Sequence, residues 1–312
     1  MSDTASAQPV QPPHAPLVGI SRRILGRFHV TGVFWFKIHR FGVVSLPAWT
    51  MPITIAVFTS FFFLVLRGMR RAVAANLEAV LGPAGFFARQ GRIWSVFWNQ
   101  AWCNSERFER LGTTRPFRVD ALGTEHWYQV AAGDKGFILA TAHVGSWDVG
   151  TFIASEVGID RHVHIVREQE MDARAQEFVS QLYKDDAGSH FTTHFARDNP
   201  HLGPRLLTAL RKGDLVGLQS DRPATSGRVS QTKLFDRPFP LPVGPAALAR
   251  AAEVPIVPVF CFREGRRHYR LDIRPPIPPT ASLDEIMASL VAEIEGAIRQ
   301  RPRQWFCFRK LW

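Results

Sequence analysis

A histidine and an aspartate lie close together in residues 136–150 and carry the side chains needed for acid–base chemistry. Asp148 follows His143 by five positions, which gives a His-x4-Asp motif. A carboxylate on one ring nitrogen of an imidazole fixes its tautomer, and the other nitrogen can then accept a proton. We therefore predict that His143 is a general base for a hydroxyl group and that Asp148 orients it. A structural histidine at a strand end is the alternative, because such pairs also arise by chance.

The residues around this pair predict a strand, a turn and a helix in that order. Residues 137–140 form an apolar run that is too short for a helix and is bounded by turn formers, which is typical of a buried strand. Gly145 follows in the turn, and Ser146 is a typical N-cap for a helix that carries Trp147. His143 should then lie at the carboxyl end of a strand, where open α/β sheets bind ligands. This context favours a general base.

Strand and helix patterns alternate through most of the chain. The strand patterns occupy residues 137–140, 162–166, 215–219, 256–262 and 268–274, and the helical patterns occupy residues 124–132, 170–184, 203–212, 245–253 and 282–300. This alternation predicts an α/β fold with a largely parallel mixed sheet flanked by helices, and with some antiparallel pairing. Proline and glycine are frequent between residues 222 and 244, so we predict a loop there.

Charged side chains follow two more of the predicted strands. Arg167 ends one strand, and Asp221 and Arg222 follow another. Because such strand ends converge on one crevice, we expect these side chains near His143. A guanidinium binds phosphate or carboxylate through two hydrogen bonds, so Arg167 is a candidate substrate anchor, and an ordinary surface arginine is the alternative. Asp221 either holds one of the two arginines in an ion pair or contributes to the site directly.

The composition points to an anionic partner. Lysine and arginine number 38 against 27 acidic residues, a formal net charge of +11, which suits nucleic acid, a membrane surface or a phosphorylated substrate. Nine tryptophans and 24 phenylalanines favour anionic membrane lipids over nucleic acid. The three cysteines are widely spaced, which argues against a disulfide framework and indicates a reducing compartment.

The amino-terminal part of the chain divides into two segments ahead of a main domain at residues 68–312. Residues 1–16 are polar and proline-rich and predict a disordered tail. Residues 17–67 predict a membrane-associated region with a hydrophobic anchor helix, because residues 41–66 hold no charged side chain and are long enough to cross a bilayer. Pro47 and Pro52 interrupt the stretch, so a kinked span and a shallow dip both remain open.

Several histidines outside the His-x4-Asp motif raise the question of a metal site. His162 and His164 share one face of a predicted strand, a spacing that can bind zinc. No acid or cysteine falls at ligand spacing beside them, so we predict scattered surface histidines and no metal.

Five blocks of sequence resemble the bacterial lipid A biosynthesis acyltransferases, the lauroyl and myristoyl transferases within the lysophospholipid acyltransferase superfamily. The blocks are RRAVAANLEAVLG, LGTEHWYQVAAGDKGFILATAHVGSWDVG, GDLVGLQSDRPA, LPVGPAALARAAEVPIVPVF and QWFCFRKLW. The resemblance implies transfer of a fatty acyl group from a thioester of acyl carrier protein or coenzyme A to a lipid hydroxyl. It also implies that this happens at the cytoplasmic face of the inner membrane, with the protein anchored through its amino-terminal part and with no further cofactor.

The resemblance also assigns residues. His143 and Asp148 fall on the catalytic dyad of the family, and Arg167 and Asp221 fall on positions similar to its substrate-site residues. The lipid A enzymes usually carry glutamate where Asp148 stands, and their closing block usually has a histidine near Cys307, so this chain departs from the pattern in two places that bear on the acceptor.

The expected reaction is attack of an acceptor hydroxyl, deprotonated by His143, on the thioester carbonyl. Backbone N–H groups near Gly145 are candidate donors to the oxyanion, and Trp147 and Arg222 complete the predicted substrate contacts. Ser146 is a rival nucleophile, but a helix-capping residue three positions after the base is poorly directed for attack.

Three other functions compete with a lipid A-type acyltransferase. One is a glycerolipid or lysophospholipid acyltransferase, and another is a thioesterase. The third is a non-catalytic, membrane-tethered protein that binds lipid or nucleic acid through the basic and aromatic segment at residues 299–312. We expect no nucleic-acid partner. The sequence leaves the acceptor, the acyl donor, the chain length and the oligomeric state open.

Overall fold

The computed structural model describes residues 33–146, 161–167, 174, 176–178, 181, 191–196, 199, 201–222 and 228–312. The predicted tail, Trp147, Asp148 and most of the predicted helix at 170–184 lie outside these residues. The helices are α1 Val33–Ser45, α2 Met51–Val65, α3 Arg67–Leu81, α4 Phe86–Gly112, α5 Thr124–Ala131, α6 Leu202–Arg211, α7 Gly244–Ala252 and α8 Leu283–Gln300. The strands are β1 Arg118–Leu122, β2 Phe137–Thr141, β3 Val163–Arg167, β4 Phe191–Phe195, β5 Leu215–Gln219, β6 Val229–Leu234, β7 Arg237–Pro242, β8 Ile256–Gly265 and β9 His268–Ile273.

Seven strands form one mixed sheet in the order β1-β9-β8-β2-β5-β3-β4. Every neighbouring pair is parallel except β8 and β9, which form an antiparallel hairpin. The predicted α/β fold with a largely parallel mixed sheet is confirmed. Strand β2 lies in the middle of the sheet between β8 and β5, so its carboxyl end opens at the centre of one edge.

Strand β2 has no alternation of apolar and polar residues because both of its faces are covered. Ile138 and Ala140 are buried in the larger core together with residues of helices α6, α7 and α8. Phe137 is buried on the opposite face, where it packs edge-on against Trp127 of α5 with ring centroids 5.3 Å apart. Near-continuous apolar runs are typical of parallel strands with helices on both sides.

Strands β6 and β7 form a separate antiparallel hairpin in the part of the chain predicted to be a loop, so that prediction is wrong. Phe235 and Asp236 form its turn with φ of 53° and 61°, the positive values that a type I′ turn requires. Prolines alternate along β7, and in a two-stranded ribbon their missing N–H groups can face outward. The hairpin packs on the larger core through Leu234, Phe239 and Leu241. Neither the prolines nor a turn without glycine signals a hairpin in sequence.

Helices α1 and α2 pack on α4 through only one side of each helix. Val43, Met51 and Ile55 are buried there with Trp102 and Phe108 of α4. No single helix among the described residues is both long enough and apolar enough to cross a bilayer. Helices α2 and α3 reach the required length and composition only as a pair, and they are bent by 92°. Within the described residues the apolar stretch at 41–66 is thus divided between α1 and α2, and the membrane anchor stays a prediction.

Buried carboxylates on α4 attach the amino-terminal helices to the sheet. Glu106 is fully buried and accepts hydrogen bonds from the Arg263 side chain at 2.8 Å, from the Arg267 backbone at 2.8 Å and from the Tyr269 hydroxyl. Glu109 is also buried and pairs with the Arg267 guanidinium at 2.6 Å. Because an unpaired buried charge costs several kcal/mol, these contacts hold α4 at a defined place on the β8–β9 hairpin.

Candidate active site

The carboxyl ends of β2 and β5 bring two side chains together that are 78 positions apart in sequence. Thr141 and Gln219 end these strands as register partners, and the Ser220 N–H continues the pairing by donating to the Thr141 carbonyl at 2.9 Å. His143 lies two residues after the end of β2, and Asp221 lies two residues after the end of β5. Their side chains meet with 2.6 Å between Nδ1 and Oδ1. The predicted position of His143 at a strand end is confirmed.

Asp221 is fully buried and is held as a carboxylate. Burial alone would raise its pKa, but His143, the charge of Arg222 and a hydrogen bond from Trp305 together lower the pKa to about 2. A carboxylate can only accept hydrogen bonds, so the proton between the two groups belongs to Nδ1 of His143. In the neutral imidazole Nε2 is then the acceptor. The His143 side chain is 18% exposed, which leaves it accessible to a substrate.

Trp305 supplies the second contact to Asp221. Its Nε1–H donates to Oδ2 at 2.9 Å, and the tryptophan is only 2% exposed. Both oxygens of Asp221 therefore have partners, His143 on one and Trp305 on the other. The predicted nearness of Asp221 to His143 is therefore found, and of the two alternatives left open for Asp221 these contacts favour a direct part in the site, while the positive charge of Arg222 lies close enough to act on it.

Backbone hydrogen bonds hold the turn that carries His143. The His143 carbonyl accepts from the Phe306 N–H at 2.7 Å, and the Gly145 N–H donates to the Gln304 carbonyl at 2.9 Å. The Ser146 N–H donates to the Cys261 carbonyl at 2.9 Å. The N–H of Gly145 itself therefore already has an acceptor in the protein, and the binding of an oxyanion by other N–H groups near Gly145 stays a prediction.

Gly145 has a structural role that its neighbours explain. Its φ is +62°, and a Cβ atom added there would lie 2.0 Å from the carbonyl oxygen of Cys261. A side chain would have to move the backbone of β8, so only glycine fits this close approach. The residue lets the turn pass between β8 and the carboxyl-terminal segment and thereby sets the position of His143.

The two predicted arginines lie at the same edge of the sheet as His143. Arg167 is the last residue of β3, the strand next to β5, and Arg222 directly follows Asp221. Trp147 and Asp148 lie outside the described residues, so their predicted roles stay predictions. The contribution of Trp305 was missed by sequence reasoning, although the closing block that contains it was singled out.

A second group of histidines lies on β3 and β4 away from this turn. Nδ1 of His164 is 2.9 Å from Nε2 of His194, and its Nε2 is 3.1 Å from a carboxylate oxygen of Asp214. The pKa of His194 is lowered, mainly by burial and to a smaller extent by the nearby charges of His164, Arg205 and His162. These are hydrogen-bonded, partly buried side chains, so the expectation of scattered surface histidines is corrected. Within the described residues, no group of three or more His, Cys, Asp or Glu side chains is arranged to hold a metal ion.

Comparison with known proteins identifies the family of this chain. The profile of the family described as bacterial lipid A biosynthesis acyltransferase matches residues 25–312. The chain belongs to this family. It is accordingly an acyltransferase of lipid biosynthesis, and the family implies an acyl donor and a lipid acceptor.

Curated relatives of this family member come from mycobacteria. A phosphatidylinositol mannoside acyltransferase of Mycobacterium tuberculosis is 24% identical over 226 residues, which cover 71% of this chain and 67% of the relative. The enzyme of the same name from Mycolicibacterium smegmatis is 21% identical over 197 residues, 62% of each chain. The resemblance seen in the sequence blocks is confirmed at the level of the family.

Proposed function

We propose that this chain moves a fatty acyl group from an acyl thioester to a hydroxyl group of a glycolipid acceptor, with His143 as the general base. The observation that carries the proposal is the 2.6 Å contact between Nδ1 of His143 and a carboxylate at the centre of a sheet edge. Membership in an acyltransferase family supports the reaction class.

In the proposed reaction Nε2 of His143 removes the proton of the acceptor hydroxyl as its oxygen attacks the thioester carbonyl. The new C–O ester bond forms, the C–S bond breaks, and the thiolate leaves and takes up the proton that His143 holds. Asp221 stabilises the imidazolium that exists between these steps. Base catalysis of this kind contributes about 10²–10⁴-fold. A thiolate is a good leaving group, so the mechanism needs no second strong acid.

Asp148 retains its predicted role as an orienting carboxylate only as an alternative to Asp221. Nδ1 of His143 already contacts Asp221. Asp148 would therefore bind that nitrogen only if the Asp221 side chain moved away from it. We propose Asp221 as the principal partner of the imidazole. Arg167 and Arg222 are proposed to bind phosphate or carboxylate groups of the substrates, because guanidinium binds such groups in a bidentate manner.

The acceptor we propose is a sugar-bearing lipid of the lipid A type or a related glycolipid. The family description names lipid A biosynthesis, and the curated relatives are named for phosphatidylinositol mannosides, so a glycolipid is common to both. The acyl donor is proposed to be a thioester of acyl carrier protein or coenzyme A. A glycerolipid acceptor is the alternative that the aspartate in the His-x4-Asp motif favours.

An assay with a radiolabelled acyl thioester tests transfer directly. We expect a labelled ester product only when a glycolipid acceptor is present, with little release of free fatty acid in its absence. The full-length protein should be used, with acyl carrier protein and coenzyme A thioesters compared in parallel. Release of free fatty acid at the same rate with and without acceptor would indicate a thioesterase and contradict the proposal.

We also propose that the outer side of α2 lies on a membrane at its cytoplasmic face. Ile53, Val57, Phe61 and Leu64 recur three or four positions apart on that side, and their exposures range from 48% to 65%. The opposite side of α2 packs on α4, so the helix is apolar all round while half of it is uncovered. Contiguous exposed apolar surface of this kind is typical of membrane or protein contacts. The overall positive charge suits anionic lipid.

Polar substitution of this side should weaken membrane binding. For a protein with Ile53, Phe61 and Leu64 all replaced by serine, we expect at least about tenfold weaker binding, because each inserted side chain contributes up to roughly 1.5–3 kcal/mol. Cosedimentation of the full-length protein with vesicles containing phosphatidylglycerol measures the effect.

The matched control replaces three exposed apolar residues elsewhere. Leu122, Tyr128 and Val229 are 51%, 59% and 39% exposed on β1, α5 and β6, and their replacement by serine should leave vesicle binding unchanged. Equal losses in both triple variants would show that hydrophobicity in general, and not the side of α2, governs binding.

A further inference from the structure

We propose that Trp305 is a positioning residue that orients His143 by holding Asp221. The inference rests on the proposed function, in which His143 is the base, and it assigns a role to the closing segment of the chain. Trp305 does not contact His143 with its ring nitrogen; it acts through the carboxylate that lies between them.

The geometry explains why one hydrogen bond to Asp221 is insufficient. A carboxylate can rotate about the bond that joins it to Cβ, so contact with His143 through Oδ1 alone would leave its plane free to turn. The Trp305 Nε1–H fixes Oδ2 at 2.9 Å and thereby keeps Oδ1 directed at the imidazole, 2.6 Å away. An indole has a single donor, and burying it without an acceptor is costly, so each group requires the other.

Trp305 is itself held in place by contacts on both sides of it in the chain. Gln304 accepts from the Arg263 N–H at 2.9 Å and donates to the Arg263 carbonyl at 2.7 Å through its side chain. The Phe306 N–H donates to the His143 carbonyl, and Val144 pairs with Trp305 as an isolated β-bridge. The indole and the imidazole therefore belong to segments that are hydrogen-bonded to each other.

Asn76 of α3 holds the chain that follows Trp305. Its Nδ2 donates to the carbonyls of Cys307 at 3.0 Å and Arg309 at 2.9 Å, and its Oδ1 accepts from the Leu311 N–H at 3.2 Å. Asn76 is 2% exposed, so these bonds are shielded from water. The closing segment is thus attached to β8, to the turn that carries His143 and to α3, which gives Trp305 the rigidity that a positioning residue needs.

Replacing Trp305 with phenylalanine tests the role, because it keeps an aromatic ring and removes the N–H donor. We expect kcat for acyl transfer to fall by about 10- to 100-fold, as for loss of a hydrogen bond to a charged group. The KM values for donor and acceptor should stay within about twofold, since Trp305 is not proposed to bind substrate. An unchanged kcat would overturn the proposal.

The matched control is Trp312→Phe. The Trp312 Nε1–H also makes one hydrogen bond, 3.1 Å to the Pro238 carbonyl, and lies in the same closing segment away from Asp221. We expect its kcat to equal that of the unmodified protein. An equal fall in kcat for both variants would mean that Trp305 only stabilises the segment, and would overturn the positioning role.

A double-substitution cycle tests whether Trp305 acts through Asp221. In a protein that already carries Asp221→Asn, adding Trp305→Phe should lower kcat by less than about threefold, because residues that act as one unit are not additive. A full 10- to 100-fold further loss would show an independent effect and contradict the proposal.

If Trp305→Phe fails to fold, 3-benzothienylalanine incorporated at position 305 replaces the N–H by sulfur and preserves the ring shape. The same fall in kcat is expected, and full activity would overturn the inference. Failure of the proposed function has a different signature. If His143→Ala transfers acyl groups as fast as the unmodified protein, the proposed role of His143 as the base is wrong. If His143→Ala is inactive while the isosteric variant is fully active, only the role of Trp305 is wrong.

Discussion

Replacement of His143 by alanine is expected to lower acyl transfer by about 10²–10⁴-fold, the contribution typical of a positioned general base. The imidazole is proposed to be the group that removes the hydroxyl proton. Alanine has no group that can accept this proton. Because His143 is partly exposed and the turn is held by backbone hydrogen bonds, the variant should fold and bind vesicles as before. Initial rates of ester formation, together with circular dichroism and vesicle cosedimentation, measure both expectations.

The chain contains a second histidine–carboxylate pair that serves as a control. Nε2 of His268 on β9 lies 2.7 Å from Asp120 of β1, at the far edge of the sheet. His268→Ala removes an imidazole from a more exposed histidine–carboxylate pair without touching the turn at β2. We expect full transfer activity from this variant. Substantial activity in His143→Ala would show that another group removes the proton, and would contradict the proposed mechanism.

Replacement of Asp221 by asparagine is expected to lower kcat by about 10²-fold or more. The substitution is nearly isosteric, but a neutral amide cannot stabilise the imidazolium and can favour the wrong tautomer of His143, an effect as large as about 10⁴ in a serine protease triad. Steady-state kinetics at neutral pH measure the loss, and KM should change little. Asp120→Asn, which alters the carboxylate of the distant pair, should have no effect.

Asp148→Asn provides the decisive comparison with Asp221→Asn. If Asp221 is the principal partner of the imidazole, its replacement should cause the larger loss of kcat. A loss confined to Asp148→Asn would instead assign the orienting role to the carboxylate that the sequence motif predicts. In either outcome the base remains His143, so the comparison addresses the partner alone.

The pH dependence of stability follows from the lowered pKa of Asp221. Its pKa in the folded protein is about 2, against an ordinary value of 3.8, so the ionised form is favoured by folding. The stabilisation is therefore fully present above the ordinary value and is lost as the pH falls through about 2. At neutral pH Asp221 is ionised throughout, which is the form that the proposed mechanism needs.

Much of the sheet could be predicted from local pattern. Strands β2, β5 and β8 are apolar runs bounded by turn formers, and α8 begins with a capping box formed by Ser282 and Glu285, signals that depend only on near neighbours. Strand β4, with its sequence FTTHF, and the β6–β7 hairpin were missed. Polar side chains and prolines hide such strands, which are specified by their partners in the sheet.

The sequence by itself determined the family, through five blocks spread along the chain, and the place of His143 at the end of a strand, through a short-range apolar pattern. The convergence of strand ends also predicted Asp221 near His143, but only the tertiary structure decided that Asp221 contacts the imidazole and that Trp305 contacts Asp221. Asp221 lies 78 positions after His143 in the sequence. Trp305 lies a further 84 positions after Asp221. Contacts of that separation depend on strand order and on the path of the closing segment. The register of β2 with β5 and the backbone hydrogen bonds around Gly145 create them, and neither leaves a signal in local sequence.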